Sequence, residues 1–146
     1  MTRKTTILIV EDDPDLRKLV RTSLENGRRM IHEAETAIDG LHLARQIMPD
    51  ILLLDIGLPG HFDGFSLCNA LEDVPEIWDM KTVIISGHDT AEDFYQAKRF
   101  GVNAYLVKPF SPRFLVELIE KLEVPPSEML VVVADPGLAD AADPPA

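Results

Sequence analysis

The run Ile51-Leu52-Leu53-Leu54-Asp55 constrains the fold of this chain more than any other segment. Four consecutive aliphatic residues without polar alternation describe a strand buried on both faces, the pattern of a parallel sheet. A carboxylate follows at once, at the end where open α/β sheets place their crevice. Three other segments share the design. Ile7-Leu8-Ile9-Val10 leads into Glu11-Asp12-Asp13, Val83-Ile84-Ile85 leads into Ser86, and Ala104-Tyr105-Leu106-Val107 leads into Lys108-Pro109. Four buried strands thus end in an acid cluster, an acid, a hydroxyl and an ammonium.

Helical patterns lie between the strands. Asp13-Pro14 reads as an N-cap with proline at the first helical position, and Leu16, Leu19, Val20 and Leu24 follow at helical spacing up to Asn26-Gly27. A short polar strand near Ile31–Glu35 reads as a sheet edge. Thr36-Ala37-Ile38-Asp39 resembles a capping box and opens a helix to about Met48. Further helices are expected over about Phe65–Glu72, Ala91–Phe100 and from Ser111-Pro112 to Pro125, the last with Leu115, Leu118, Ile119 and Leu122 on one face. Strand and helix alternate five times. This predicts an α/β protein, a doubly wound (βα)5 with a parallel five-stranded sheet and helices on both faces.

The 146 residues suit one domain, expected over residues 1–124. Residues 125–146 form a separate tail, rich in Pro, Ala and Asp, with one apolar run, Met129–Val133. It reads as a disordered tail, or as a short extra strand or docking segment. The net charge of −11 argues against non-specific DNA binding and against an anionic membrane surface. No segment reaches the roughly 18 apolar residues a membrane span requires. The N-terminus lacks a signal-peptide core, and the lone Cys68 reads as a buried, inert thiol. A cytoplasmic protein is expected.

Asp12 and Asp55 supply oxygen ligands suited to Mg²⁺, which binds through one or two carboxylates plus water and phosphate oxygens. Glu11 and Asp13 add negative charge nearby. A carboxylate beside a cation can also accept a phosphoryl group as an acyl phosphate. Such a transfer needs charge stabilisation more than acid–base work, and Lys108 and Ser86 can provide it.

These segments resemble the receiver domain of bacterial two-component response regulators. The resemblance rests on Ile7–Pro14, Ala37-Ile38-Asp39-Gly40, Asp50–Asp55, Leu58-Pro59, Asp63-Gly64, Val83–Gly87 and Ala104–Phe110, and it spans about residues 5–124. It implies a flavodoxin-like three-layer sandwich with strand order 2-1-3-4-5. It implies that Asp55 accepts phosphate from a histidine kinase or a histidine phosphotransfer protein. Asp12, Asp55 and the Gly57 backbone carbonyl would hold Mg²⁺, with Mn²⁺ able to substitute, while Glu11 assists through water. Ser86 and Gly87 would bind the phosphoryl group, and Lys108 would pair with it, or with Asp55 beforehand. Tyr105 would be an aromatic switch that turns inward as Ser86 moves, although an aromatic on a fifth strand can also simply pack an edge. Lys108-Pro109 would be a cis peptide. Gly57 and His88 occupy positions that tune dephosphorylation: Gly57 leaves room for water above Asp55, and His88 either orients that water or stands by.

The chain departs from the family pattern in the loop after Asp55, where Gly60-His61-Phe62 is one residue longer than usual, and in carrying Ser86 where threonine is commoner. His32, His42 and His61 show no ligand spacing and read as surface residues. The expected function is a phosphoacceptor switch that catalyses only its own phosphorylation and dephosphorylation. Its surface over about residues 91–122 would change and signal to a downstream protein, by onward phosphotransfer, or through a homodimer. A phosphorylation-independent interaction module on the same fold is the alternative. It would be expected to lose Asp12, Asp55 or Lys108, and all three are present. An aspartyl phosphatase would place a second Asp where Gly57 stands. A flavin carrier would need a Ser/Thr/Gly-rich phosphate loop after the first strand, where Glu11-Asp12-Asp13 lies.

Overall fold

A computed structural model of the chain describes residues 3–87, 90–123 and 131–133. Strands β1 (Thr5–Val10), β2 (Arg29–Ala34), β3 (Ile51–Asp55), β4 (Lys81–Ser86), β5 (Ala104–Val107) and β6 (Val131–Val133) alternate with helices α1 (Pro14–Leu24), α2 (Ala37–Ile47), α3 (Gly64–Leu71), α4 (Ala91–Arg99) and α5 (Pro112–Glu123). They form one parallel sheet in the order β2-β1-β3-β4-β5-β6. The first five strands have the expected 2-1-3-4-5 order. The sixth lies beyond β5 and draws on the valine run of the tail.

Burial explains the sequence pattern. Along β3 every residue is buried, because side chains of opposite parity face two different helical layers. Ile51 and Leu53, with Ile7, Ile9, Val83, Ile85, Ala104 and Leu106, pack beneath α1 and α5. Leu52 and Leu54, with Leu8 and Val10, pack beneath α2 and α3. Ile84 and Tyr105 continue that second face beneath α4. Only Ala34 is buried in β2, as its place at the sheet edge requires.

Helix starts follow their caps. The Asp13 carboxylate accepts from the backbone N–H groups of Asp15 and Leu16, Thr36 and Thr90 cap α2 and α4, and Asp63 caps α3. Several boundaries differ from the sequence reading by one or two residues, among them the start of β2 at Arg29 and both ends of α3. Helix α2 stops one residue early, because Met48 takes the left-handed conformation (φ 46°) just before Pro49. A single 3₁₀ turn at Pro75–Ile77, unmarked by any periodic pattern, joins α3 to β4.

At the end of the sheet opposite Asp55, Arg29 fastens three elements. Its guanidinium donates to the Leu24 carbonyl that ends α1 (2.9 Å) and to both Glu123 carboxylate oxygens at the end of α5 (3.0 and 2.6 Å). The Arg29 side chain is 3% exposed. These bonds hold the Glu123 carboxyl below its ordinary range. Glu123→Gln keeps the shape and removes the charge, so it should cost about 2 kcal/mol in urea unfolding at neutral pH, the scale of a hydrogen bond to a charged group. The folded carboxyl titrates below its unfolded value. Its contribution is therefore full above about pH 5 and lost as pH falls through the depressed value, and the two proteins should converge in acid.

Candidate functional site

The strand register sets the site. Val10 lies beside Leu54 and Leu54 beside Ile84, so Glu11 and Asp55 leave the sheet as neighbours. Ser86 pairs with Val107, which puts Lys108 just beyond the end of β5. The Lys108 backbone N–H donates to the Ser86 carbonyl at 2.8 Å and ties those two ends together. The Lys108–Pro109 peptide that follows is cis.

Lys108 Nζ stands 3.2 Å from Asp55 Oδ2 and 3.3 Å from Glu11 Oε1. Asp55 and Glu11 are 7% and 4% exposed, whereas Asp12 is exposed at the rim. Carboxylate oxygens of Glu11, Asp12 and Asp55 lie within 4.8 Å of one another, and no other group of three such ligands occurs among the described residues. An all-oxygen donor set, two buried and one open to solvent, fits a hard divalent cation that keeps part of its water. It suits zinc less well, since zinc sites are built mostly from nitrogen and sulfur ligands.

The charges act on one another. Burial, then the negative charge of Asp55, pushes the Glu11 carboxyl up to about 7. Burial pulls the Lys108 ammonium down, but the two carboxylates outweigh it and leave the group above its ordinary value. The site therefore holds one secure cation between two acids that compete for it.

Backbone completes the enclosure. The Gly57 N–H donates to Asp55 Oδ1 at 2.8 Å, and a Cβ on Gly57 would sit 3.3 Å from that same oxygen. Glycine thus keeps the space over the carboxylate open. At Gly64 the constraint is tighter: a Cβ would meet the Ile56 Cα at 2.6 Å and the Asp55 carbonyl at 2.8 Å, so α3 begins in direct contact with the end of β3.

The structure brings Glu11, Asp12, Asp55, Gly57 and Lys108 together. Ser86 is buried at the end of β4, and Gly87 after it is exposed. Tyr105 is fully buried, with its ring edge-on to Phe94 of α4 at a centroid distance of 4.8 Å. His88 lies outside the described residues. Two supports escaped the sequence reading. Arg17 donates to the Glu11 carbonyl at 2.7 Å and pairs with Glu33 and Glu35, anchoring the acid-bearing turn to β2. Its only sequence signal is a position four residues after the Asp13 cap, which is too common to single it out. Phe94, with Ala97, is all the apolar face that the sequence of α4 offers, which is too weak a signal to single it out.

Comparison with known proteins places this geometry. The response regulator receiver domain matches residues 7–120. An uncharacterized 14.6 kDa protein of Leptolyngbya boryana is 34% identical over 122 residues, covering 82% of this chain and 92% of that protein. Protein PilH of Pseudomonas aeruginosa is 34% identical over 113 residues, covering 77% and 93% respectively. A CheY-like receiver domain protein of Methanospirillum hungatei superposes with a TM-score of 0.73 at 32% identity, covering 82% of this chain and 94% of that one. Receiver domains are signalling modules that interact with histidine kinases and downstream effectors and bind Mg²⁺ at an acidic pocket. With its acid cluster, its strand order and these matches, the chain belongs to the response regulator receiver domain family.

Proposed function

We propose that this chain is a phosphoacceptor switch in which Asp55 receives a phosphoryl group from a histidine kinase or histidine phosphotransfer protein. The observation that carries the reading is the placement of Lys108 Nζ 3.2 Å from a buried Asp55 carboxylate, beside a cluster of three acids. An Asp55 carboxylate oxygen attacks phosphorus, the P–O bond forms as the P–N bond of phosphohistidine breaks, and the imidazole leaves with a proton. Lys108 turns from the Asp55 carboxylate to the phosphoryl oxygens, and Ser86 and the Gly87 backbone meet them from the β4 end.

Asp12, Asp55 and the Gly57 carbonyl would hold Mg²⁺ or Mn²⁺, and Glu11 would assist through water. The cation, when bound, supplies positive charge that offsets the negative charge on the transferring group. Gly57 leaves room for the water that ends the signal, and His88 tunes that step. Phosphorylation adds roughly −1.5 to −2 charge at Asp55. Pulling Ser86 and Lys108 toward it shifts the β4–α4 and β5–α5 connections.

The output passes through α4 to Tyr105. Within α4 only Ala97 is buried, so the helix is weakly held and Phe94 against Tyr105 is its main anchor. The altered surface over about residues 91–122 is read by a downstream protein, by a second copy of the chain, or by onward phosphotransfer. The protein works in the cytoplasm, on no DNA or membrane of its own, and catalyses only its own phosphorylation and dephosphorylation.

Two outcomes test this. Acetyl phosphate with Mg²⁺ should add one alkali-labile phosphoryl mass to wild type and none to Asp55→Asn; equal gain in both, or none in the folded wild type, would refute the assignment. With the divalent ion chelated, Glu11 holds a proton in the folded state up to about pH 7 that the unfolded chain releases near pH 4.5. Folding stability should therefore fall as pH rises through that window, by on the order of 2–3 kcal/mol. Glu11→Gln should flatten the profile, as read from urea unfolding in chelator.

A further inference from the structure

The two ends of the sheet differ. Strand β2 is a true edge, half-buried along most of its length. Strand β5, only four residues long, has Ala104, Tyr105 and Leu106 at 0–1% exposure, the profile of an internal strand. Its side chains are buried beneath α5 and α4, and its outer backbone edge is paired with β6, in parallel register with Ala104 beside Val131, Tyr105 beside Val132 and Leu106 beside Val133.

The sequence of that outer strand is specific. Val131-Val132-Val133 stands between Pro125-Pro126 and Asp135-Pro136 in a tail otherwise rich in Ala, Pro and Asp. β-Branched residues favour a strand, and the flanking prolines cannot extend one. Three residues make few backbone hydrogen bonds, and closing the connection over residues 124–130 costs chain entropy. A strand so short and so tethered sits at the low-stability end of the fold.

We propose that the β5 edge is a strand-addition site whose resident occupant is the chain's own Val131–Val133. The site accepts an extended β-branched segment running parallel to β5, and it opens to such a segment in trans only when the resident strand leaves. Main-chain pairing supplies the binding, as in other cases of strand addition to a sheet edge. The tether favours the cis occupant through its high effective concentration. The residue at the centre of the register, Tyr105, also carries the ring contact to Phe94, so edge occupancy and α4 packing meet at one side chain. None of this depends on phosphorylation of Asp55.

Val132→Pro in the full chain removes a backbone donor at the centre of the strand and tests the proposal. Amide exchange at Ala104–Val107 should rise at least tenfold in the variant while β1 and β3 keep wild-type rates. A fluorescent peptide of residues 127–136 should bind the variant. It should bind wild type at least tenfold more weakly, and the same peptide carrying Val132→Pro should bind neither protein. Unchanged β5 exchange would overturn the resident strand. Peptide binding to neither protein, or equally to both, would overturn the site. The double variant Val131→Asp, Val133→Asp opens the edge without proline and should behave alike.

Discussion

One ammonium held between two buried carboxylates organises this molecule. Lys108 lies within 3.3 Å of both Glu11 and Asp55. Burying one carboxylate alone is costly, and burying two beside each other costs more, as the elevated Glu11 carboxyl records. Lys108 offsets that cost only in part. The remaining negative charge makes the site receptive to a hard cation, and the position of Lys108 makes it receptive to an anion placed on Asp55. Site chemistry and fold stability thus draw on the same three charges.

Much of the structure serves to keep these groups together. The parallel register sets Glu11 beside Asp55, and the close approach at Gly64 seats α3 against the end of β3. Arg17 holds the Glu11 backbone from the α1 side, while the bond from Lys108 to the Ser86 carbonyl joins the β4 and β5 ends. The opposite end of the sheet is closed by its own ion pair, Arg29 with Glu123. The side bearing the site is left with the weaker elements. Helix α4 buries only Ala97 and adds the ring contact of Phe94 with Tyr105, which ends on the strand next to the outermost one. A change of charge at Asp55 would therefore be expressed there first.

The fold was legible because its strands are buried on two faces, and a run such as Leu52-Leu53-Leu54 has few other uses. The acid and lysine positions were legible because strand ends in a parallel sheet converge. Caps at Asp13 and Thr36 followed from side-chain chemistry alone. What escaped notice depends on contacts between distant segments. Arg17 reads as one more charged residue on a helix until β2 is placed beside it, and nothing in the spacing of Gly64 announces contact with the Ile56 backbone. The sixth strand was one of two readings of the tail. Three valines between prolines suit either a loose segment or a strand, and only the presence of a vacant edge at β5 favours pairing.

The most direct measurement of the account is an amide and fluorine NMR titration with beryllofluoride, a stable mimic of a phosphoryl group on a carboxylate. In the presence of Mg²⁺, a bound fluorine signal should appear with amide shifts at Gly57, Gly87 and Lys108 that extend to Phe94 and Tyr105. Asp55→Asn should abolish both. A bound signal that persists in that variant, or shifts confined to the tail and α5, would contradict the claim that Asp55 and Lys108 form the centre of the switch.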